Sequence, residues 1–485
     1  MQFGETGPIS EKGPALRVIH MAPILTALLL LCASMAAEPA GADNTPQRKG
    51  PLKGLPSKEG PHMAKIRAMP DNSWIELGPP GADPRWGVGI GRAWCGTMPF
   101  APDLRGAFLY GEGRHGAYTV RNGKKHYNDD LFFYDINAHR WVCVYPGMEL
   151  GTYNLTINED GFEVAADGNP LPVACFVHCY NMVTYDVHRK AFVHLWSPSG
   201  YWRKHFPRRV AMIEKYHERL NGLGRGWSKI NQASPWMYDT VAGHWRRFKT
   251  EARTPKLGHG SHLIYLEPLK KLFCLGRGGA YYYDPADNNW HALNPGGPPP
   301  PRPIDAASCY DPKRNRVYVA MGSYGGGKKE IKSIENRVWA YDVARNVWVD
   351  LKAKGDLPPR PRAVSGCGIS KMHYDSKNDT ILYFALGADL NESLVNRGIY
   401  AYAAETNEWK KVTARFPDSW EGGGGHSFYD PELQAHFIYK ARDSSSKGLM
   451  FVYRYKGSSD PESPTRDRSH LKREGTQDQP DRQAS

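Results

Sequence analysis

One hairpin pattern recurs along the chain and restricts the fold more than any other feature of the sequence. In its clearest copy, residues 335–348, an apolar and aromatic run ends at Tyr341-Asp342, turn-forming residues follow, and a second run contains Trp348. β-Branched and aromatic residues favour strands, whereas Asp and Asn favour turns. The same order recurs in four other places: Tyr134-Asp135 with Trp141, Tyr238-Asp239 with Trp245, Tyr283-Asp284 with Trp290, and Tyr402 with Trp409.

A second hairpin precedes each of these copies, so the repeating unit has four strands. Its turn again contains an aspartate, as in Tyr310-Asp311 before Val317 to Val319. Five complete units follow one another, and a sixth unit that begins at His426 lacks its last strand. The strand around Trp74 matches the missing strand and has no partner in its own neighbourhood. We therefore predict a closed ring of six units, in which the strand at Trp74 completes the last one.

These units resemble kelch repeats, the blades of galactose-oxidase-type β-propellers, over residues 71–456. The resemblance implies an all-β fold, a six-bladed β-propeller with four-stranded blades. The double glycine that usually ends the second kelch strand occurs as Gly278-Gly279 but is replaced elsewhere, for example by Gly322-Ser323. The copper site of galactose oxidase needs paired Tyr and His ligands and a Cys linked to one Tyr. No specific set of positions in this sequence matches that site, so we expect no copper.

The N-terminal end predicts export. Ala22 to Ala33 is an apolar run followed by a small-x-small sequence, which is typical of a secretory signal peptide, predicted here over residues 1–36. The signal starts at Met1 or at Met21. The run is short for a bilayer span, so we expect a secreted or periplasmic protein without a membrane span after cleavage. Cleavage leaves seven of the eight cysteines without zinc-site or CxxC spacing, which favours buried free thiols over a disulfide framework.

Two further segments lack the repeat. Residues 37–70 are rich in Pro, Gly, Lys and Ser, and we predict that they form a flexible linker. Residues 457–485 hold almost no large apolar residues and are predicted to be a disordered tail. The propeller is therefore expected to occupy residues 71–456. We expect it to be a monomer.

Two long loops concentrate basic and aromatic residues. Loops that join the second and third strands of a blade share one face with the links between blades, and variable loops on a rigid scaffold commonly carry function. The first, residues 111–127 in blade one, includes Arg114 and His115. The second, residues 196–234 in blade two, has eight Lys or Arg against two Glu and contains a predicted helix over Pro207 to Leu220. The predicted ligand contacts in these loops are Arg114, Trp202, His205, Arg208 and Arg209.

A further group of candidates precedes or begins the innermost strands, at the mouth of the axial channel. Arginine and histidine side chains that point inward from several blades would form a cationic ring, although kelch strands also begin with such residues for packing. The sequence leaves open which of them point inward. The predicted members are Arg92, His178, Tyr180, His259, His262, Arg302, Arg362 and His426.

The charge and the loops favour recognition of an anionic ligand. The formal net charge of +13 attracts acidic partners, arginine forks match carboxylate and sulfate, and aromatic rings stack on sugars. We therefore predict a secreted propeller that binds a uronate or sulfated glycan. Single-stranded nucleic acid would use the same residue types, but export argues against it.

Two alternatives remain open at the level of the sequence. The first is a polysaccharide lyase, in which a Tyr or His removes the proton beside a carboxylate and an Arg or His neutralises that carboxylate. Its candidate catalytic residues are His115, His178, Tyr180, Tyr201 and Arg203. The second alternative is a scaffold that binds a secreted protein. The acidic segment 146–172, predicted to contain an extra hairpin around Glu159-Asp160-Gly161, does not match a calcium loop, so we expect it to pair with neighbouring basic residues and expect no cofactor.

Overall fold

The structure is a computed structural model, and the description covers only part of the chain. The described residues are 47–92, 97–111, 118–149, 156–159, 163–164, 168, 181–195, 235–247, 250, 255, 261–276, 279–300, 306–320, 338–358, 370–385, 398–420, 425–441 and 448–455.

The described residues form many short strands and almost no helix. The first half contains β1 (Ser73–Gly78), β2 (Phe100–Ala101), β3 (Gly106–Tyr110), β4 (Tyr118–Arg121), β5 (Lys124–Tyr127), β6 (Leu131–Asp135), β7 (Arg140–Tyr145), β8 (Thr156–Ile157), β9 (Glu163–Val164), β10 (Val183–Asp186), β11 (Ala191–His194), β12 (Trp236–Asp239) and β13 (His244–Arg246). The second half contains β14 (His262–Leu266), β15 (Lys271–Gly276), β16 (Gly279–Asp284), β17 (Asn289–Leu293), β18 (Ala307–Asp311), β19 (Arg316–Ala320), β20 (Val338–Asp342), β21 (Val347–Asp350), β22 (Lys354–Gly355), β23 (Ser370–Asp375), β24 (Thr380–Ala385), β25 (Gly398–Ala403), β26 (Glu408–Val412), β27 (His426–Asp430), β28 (Ala435–Lys440) and β29 (Leu449–Arg454). One α-helix, α1 (His62–Arg67), and three 3₁₀ turns, Gly50–Leu52, Pro102–Leu104 and Glu267–Leu269, complete the described elements.

These strands form a six-bladed β-propeller, which confirms the predicted fold class. Blades one to five are the sheets β2-β3-β6-β7, β10-β11-β12-β13, β14-β15-β16-β17, β18-β19-β20-β21 and β23-β24-β25-β26, the last extended by β22. Blade six is the sheet β27-β28-β29-β1, so its fourth strand comes from the N-terminal side of the propeller. Within that sheet Trp74 of β1 lies opposite Tyr453 of β29, and their ring centroids are 4.9 Å apart. The assignment to kelch repeats within this fold stays a prediction.

The Tyr-Asp pair of the repeat stabilises the outer turn by hydrogen bonding, most clearly in blade four. In the turn between β20 and β21, the Asp342 carboxylate accepts the backbone N–H of Arg345 at 3.0 Å. Asn346 then adopts a left-handed conformation with φ of 52°, which Asn tolerates better than most residues. The Tyr341 hydroxyl donates to Asn346 Oδ1 at 2.7 Å and closes the turn. Tyr341 lies directly opposite Trp348, so the repeated aromatic pair stabilises the hairpin above the turn.

The hydroxyl-to-asparagine bond can be tested by comparing two blades. In blade five the Tyr402 hydroxyl donates to Asn407 Oδ1 at 2.8 Å. In blade two the residue at the equivalent turn position is Gly243, and the buried Tyr238 hydroxyl has no hydrogen-bond partner. We expect Tyr402→Phe to lower the free energy of unfolding by about 1 kcal/mol. Tyr238→Phe is the matched control and should be neutral or stabilising in the same denaturant titration; an equal loss in both variants would contradict this role for the bond.

Neighbouring blades pack face to face through apolar side chains. A hydrophobic cluster lies between each pair of neighbouring blades, including blades six and one, where Trp141 and Tyr439 meet with ring centroids 4.9 Å apart. The same two blades are joined by an ion pair in which Arg105 donates to both carboxylate oxygens of Asp430, at 3.1 and 2.8 Å. Each sheet is therefore buried on both faces, which explains why its middle strands are almost wholly apolar.

Residues 47–70, predicted as part of a flexible linker, instead pack against the propeller. Leu52 lies in the core between blades one and two, and Met63 and Ile66 lie in the core between blades six and one. Arg48 donates to Thr240 Oγ1 at 3.1 Å and to Asp103 Oδ2 at 2.6 Å. The prediction is wrong for this part of the segment, because its few apolar residues are enough to anchor it once neighbouring blades provide the cavities. The signal peptide and the C-terminal tail lie outside the described residues.

No helix in the described part of the chain is long and apolar enough to cross a membrane. The described cysteines, Cys143, Cys274 and Cys309, are free. This agrees with the expectation of free thiols for these three residues.

Candidate functional site

The propeller has two chemically different ends. The turns within the hairpins, most of which contain an aspartate, lie at one end, here called the turn face. The connections between the second and third strands and the links between blades lie at the other end, here called the loop face. The innermost strands β2, β10, β14, β18, β23 and β27 surround the axial channel that runs between the two faces.

Most of the predicted site residues lie outside the described residues. This applies to every candidate in the second basic loop, to the predicted helix over residues 207–220, and to the first half of the first basic loop. The candidates concerned are Arg114, His115, His178, Tyr180, Tyr201, Trp202, Arg203, His205, Arg208, Arg209, His259, Arg302 and Arg362.

The three described members of the predicted channel mouth are all buried. The Arg92 guanidinium forms an ion pair with Asp130 of blade one, and the Arg92 backbone N–H donates to His426 Nε2 at 2.9 Å. His262 Nδ1 lies 2.8 Å from the Ser308 hydroxyl. These side chains therefore hold segments of the fold together. The sequence predicted them at the mouth of the channel, but they do not present exposed charge there.

The described half of the first basic loop forms a projecting hairpin, β4–β5. Its outer surface carries Tyr118 and Val120, which are 46% and 59% exposed. Lys125 lies opposite Val120 across the hairpin, and its Nζ is 4.7 Å from the centroid of the Tyr118 ring. Lys124, beside the turn, has 62% of its side chain exposed and pairs with Glu149 at 2.9 Å. Aromatic, apolar and cationic groups therefore share one solvent-facing surface.

Beneath this hairpin lies a buried group of charges, here called the blade-one charge cluster: Arg92, Arg121, Asp129 and Asp130. Asp130 bridges the two arginines, through Oδ1 to Arg92 and through Oδ2 to Arg121 at 2.7 Å. The Arg121 guanidinium also donates to the backbone carbonyl of Trp86 and lies 4.7 Å from the centroid of the Phe132 ring. The two arginines therefore share the Asp130 carboxylate.

Burial keeps Asp129 protonated. Desolvation raises the pKa of Asp129 to about 8, and the charge of Asp130 contributes to this rise. A hydrogen bond from the backbone N–H of Met148 lowers the pKa but does not offset the desolvation. That N–H donates to Asp129 Oδ1 at 3.0 Å, whereas Oδ2 is buried without a partner. With Asp129 protonated, the two arginines and Asp130 give the cluster one net positive charge under the basic hairpin. Asp129 and Asp130 were not predicted as site residues, because an Asn-Asp-Asp run before a strand is also typical of an ordinary turn.

The axial channel encloses a cavity of about 390 Å³ lined by inner-strand residues of all six blades. Thr97 Oγ1 donates to Asn181 Oδ1 at 3.1 Å, which links blades one and two. The polar lining was not predicted from the sequence, although Ser308 and Ser427 each lie three residues before a turn aspartate, a spacing that recurs in the repeat. The polar residues other than tyrosine that line the cavity without having been predicted are Thr97, Asn181, Thr184, Glu267, Ser308, His373, Ser376 and Ser427.

A row of hydrogen bonds crosses from this cavity into the interface between blades five and six. Ser427 Oγ lies 2.9 Å from His373 Nε2, His373 Nδ1 lies 3.2 Å from His436 Nδ1, and His436 Nε2 lies 3.3 Å from Asp375 Oδ2. Burial alone would raise the pKa of Asp375, but hydrogen bonds from His436 and Asn378 lower it below its usual range. The Asp375 carboxylate accepts from His436 at one end of the row, and the Ser427 hydroxyl lies at the other end, beside the cavity.

The acidic segment between blades one and two contains the extra hairpin that its sequence predicts, with Thr156–Ile157 paired to Glu163–Val164. Glu149 of the same segment forms the ion pair with Lys124. The described residues contain no group of three His, Cys, Asp or Glu side chains placed to hold a metal ion.

Comparisons with known proteins found distant structural likenesses and no related sequence. No protein-family model matches the sequence, and no match was found among curated protein sequences. Similar solved structures include an oligogalacturonate lyase from Vibrio parahaemolyticus, 10% identical, with a TM-score of 0.36 over 79% of this chain and 98% of that chain. The GH74 enzyme of Niastella koreensis is 12% identical, with a TM-score of 0.33 over 73% of this chain and 36% of that chain. This chain therefore spans about a third of the second protein. Likeness at this level concerns the fold alone.

Proposed function

We propose that the propeller binds an anionic glycan, uronate-bearing or sulfated, on its loop face at the β4–β5 hairpin. The observation that carries the proposal is the outer surface of this hairpin, where Tyr118 is exposed with the Lys125 ammonium 4.7 Å from its ring centroid. A sugar ring can stack on the tyrosine while its acidic group contacts the lysine. Four large apolar side chains are exposed in the described part of the chain, and two of them, Tyr118 and Val120, lie on this hairpin.

The charges below the hairpin support an anionic ligand over a neutral one. The blade-one charge cluster holds one net positive charge while Asp129 is protonated, and its groups are buried, so solvent screens it weakly. Arg121 belongs both to the cluster and to β4, which holds the hairpin at a fixed position above the cluster. Preorganised groups lose less entropy when a ligand binds.

Binding can be measured by calorimetric titration of the full chain with a uronate oligosaccharide, a sulfated oligosaccharide and a neutral oligosaccharide of equal length. We expect the acidic ligands to bind more tightly than the neutral one. Tyr118→Ala and Lys125→Ala should each weaken binding of the acidic ligand about tenfold, which corresponds to about 1.4 kcal/mol. Lys410→Ala, which removes an exposed lysine from strand β26 of blade five, is the matched control and should leave the affinity unchanged.

Two outcomes would reject the proposal: equal affinity for the neutral ligand, or an affinity for the acidic ligand that neither hairpin substitution changes. The same mixtures can be followed by ultraviolet absorbance for an unsaturated uronate product. Such a product would favour the lyase alternative, because β-elimination beside a carboxylate creates a conjugated double bond.

A further inference from the structure

The turn-face end of the axial channel is aromatic. Tyr185, Tyr310, Tyr374 and Tyr429 each immediately precede a turn aspartate on an innermost strand, so the repeat places them at the same level in four blades. All four line the cavity, together with Phe100 of blade one. The cavity also reaches the first residues of several turns, among them Pro312 and Pro431, and so extends towards the face opposite to the β4–β5 hairpin.

Three of these tyrosines donate their hydroxyl protons to aspartates. Tyr185 donates to Asp103 and Tyr374 to Asp379, both at 2.8 Å. Tyr429 donates to Asp375 at 2.9 Å. Burial raises the pKa of all three phenols, so they keep their protons and remain donors. Donation to a carboxylate polarises the phenol and makes the ring more electron-rich, which strengthens its attraction for a cation.

The charges around the cavity also favour a cation. Among the described residues that line it there is no Lys or Arg, and the one carboxylate side chain is Glu267. This differs from the chain as a whole, which has 63 Lys and Arg against 50 Asp and Glu. An anion in this cavity would lose its hydration without meeting a cationic side chain, at a high free-energy cost. A cation would meet tyrosine rings and hydrogen-bond acceptors.

The polar residues at the loop-face end of the cavity also suit a cation, because they offer hydrogen-bond acceptors. Thr97 donates its hydroxyl proton to Asn181, which leaves the lone pairs of the Thr97 oxygen as acceptors. Ser308, which is half-buried, bonds to the buried His262 beside the cavity at 2.8 Å. Acceptors at this end suit a ligand that carries an N–H or O–H group as well as a positive charge.

We propose that the axial channel binds a small organic cation of the alkylammonium class, held against the tyrosine rings at the turn-face end. This site is separate from the glycan surface and has the opposite charge preference. A volume of about 390 Å³ accommodates a compact amine with a short polar arm.

Choline is a suitable probe, because 3,3-dimethylbutan-1-ol has the same shape and hydroxyl group without the charge. Both are titrated into the full chain by calorimetry at constant ionic strength. Choline should bind at least about tenfold more tightly than the neutral isostere, as expected for a desolvated cation–π contact. Equal affinities would overturn the proposal, since they would show an apolar cavity without preference for charge, and so would the absence of choline binding.

Substitutions locate the site. Tyr429→Leu should weaken choline binding about tenfold, and Tyr429→Phe, which keeps the ring but removes the bond to Asp375, should weaken it about threefold. Tyr238→Phe, on an outer strand of blade two, is the control and should leave choline affinity unchanged. Circular dichroism checks that each variant is folded. If Tyr429→Leu does not fold, Tyr310→Leu replaces it and should also weaken choline binding about tenfold. The site would be rejected if either leucine variant is folded and binds choline with wild-type affinity.

Discussion

Replacing Asp130 with asparagine is expected to lower the free energy of unfolding by about 3–5 kcal/mol, because it leaves Arg92 and Arg121 buried without an ionised partner. The side chains of all three residues are at most 4% exposed, so water cannot replace the lost charge. The volume of the side chain is nearly unchanged, which separates the electrostatic effect from a cavity effect. Denaturant unfolding followed by tryptophan fluorescence measures the change directly.

An exposed ion pair provides the control. Arg415 and Asp418 are 2.6 Å apart, with 83% and 85% of their side chains exposed. Asp418→Asn removes the same charge as Asp130→Asn but leaves an arginine that water can solvate, so no measurable loss is expected. A loss for Asp130→Asn as small as that of the control would show that the blade-one charge cluster is not buried in solution.

The loss of stability in Asp130→Asn depends on whether Asp129 is present. The charge of Asp130 contributes to the raised pKa of Asp129, so its removal allows Asp129 to ionise more readily beside the two arginines. Asp130→Asn should therefore cost more in a chain that already has Asp129→Asn. Residues in one electrostatic network are expected to be non-additive in this way, and a double-mutant cycle measures the coupling.

The repeat made the blades predictable because its signals are local. Tyr341, Asp342 and Trp348 lie within eight residues of one another, and their turn chemistry and cross-strand pairing follow from short-range rules. Counting copies of this hairpin gave the number of blades, and the strand at Trp74 was recognised because it matched half of the pattern.

The parts that the sequence did not reveal depend on long-range contacts. Arg48 contacts Thr240, 192 positions away, and nothing local in the Pro- and Lys-rich segment around it indicates an ordered structure. Arg92 and Asp130 likewise meet across 38 positions. Burial converts Asp129 from an ordinary carboxylate into a neutral group, and burial at this position is set by packing around the hairpin and not by its neighbours in sequence.

The two faces differ because they are under different constraints in the repeat. Most blades form aspartate turns in their inner hairpins, so tyrosines and aspartates accumulate at the turn face around the channel. The connections between second and third strands have no such requirement and can vary, so blade one can carry a basic hairpin. A chain with a formal charge of +13 can therefore combine a basic loop face with a channel whose described lining lacks Lys and Arg.

Asp129→Asn is expected to stabilise the protein at neutral pH, by up to about 4 kcal/mol at pH 7. The folded-state pKa of Asp129 is raised to about 8, from an ordinary value of 3.8. Between these values the unfolded carboxyl ionises while the folded one stays protonated, so the wild type loses stability as the pH rises from about 4 to about 8. Asparagine does not ionise and keeps an oxygen to accept the Met148 N–H, so the variant lacks this loss.

The pH profile distinguishes this mechanism from a general improvement in packing. Unfolding free energies are measured for wild type and variant at several values between about pH 4 and pH 8.5. The difference in free energy should be small at the acidic end, grow through the neutral range and level off above about pH 8, because both states of the wild type are then ionised. A stabilisation of the same size at every pH would indicate a packing effect, and a destabilisation at pH 7 would show that Asp129 is ionised in the folded protein and pairs with Arg92 or Arg121.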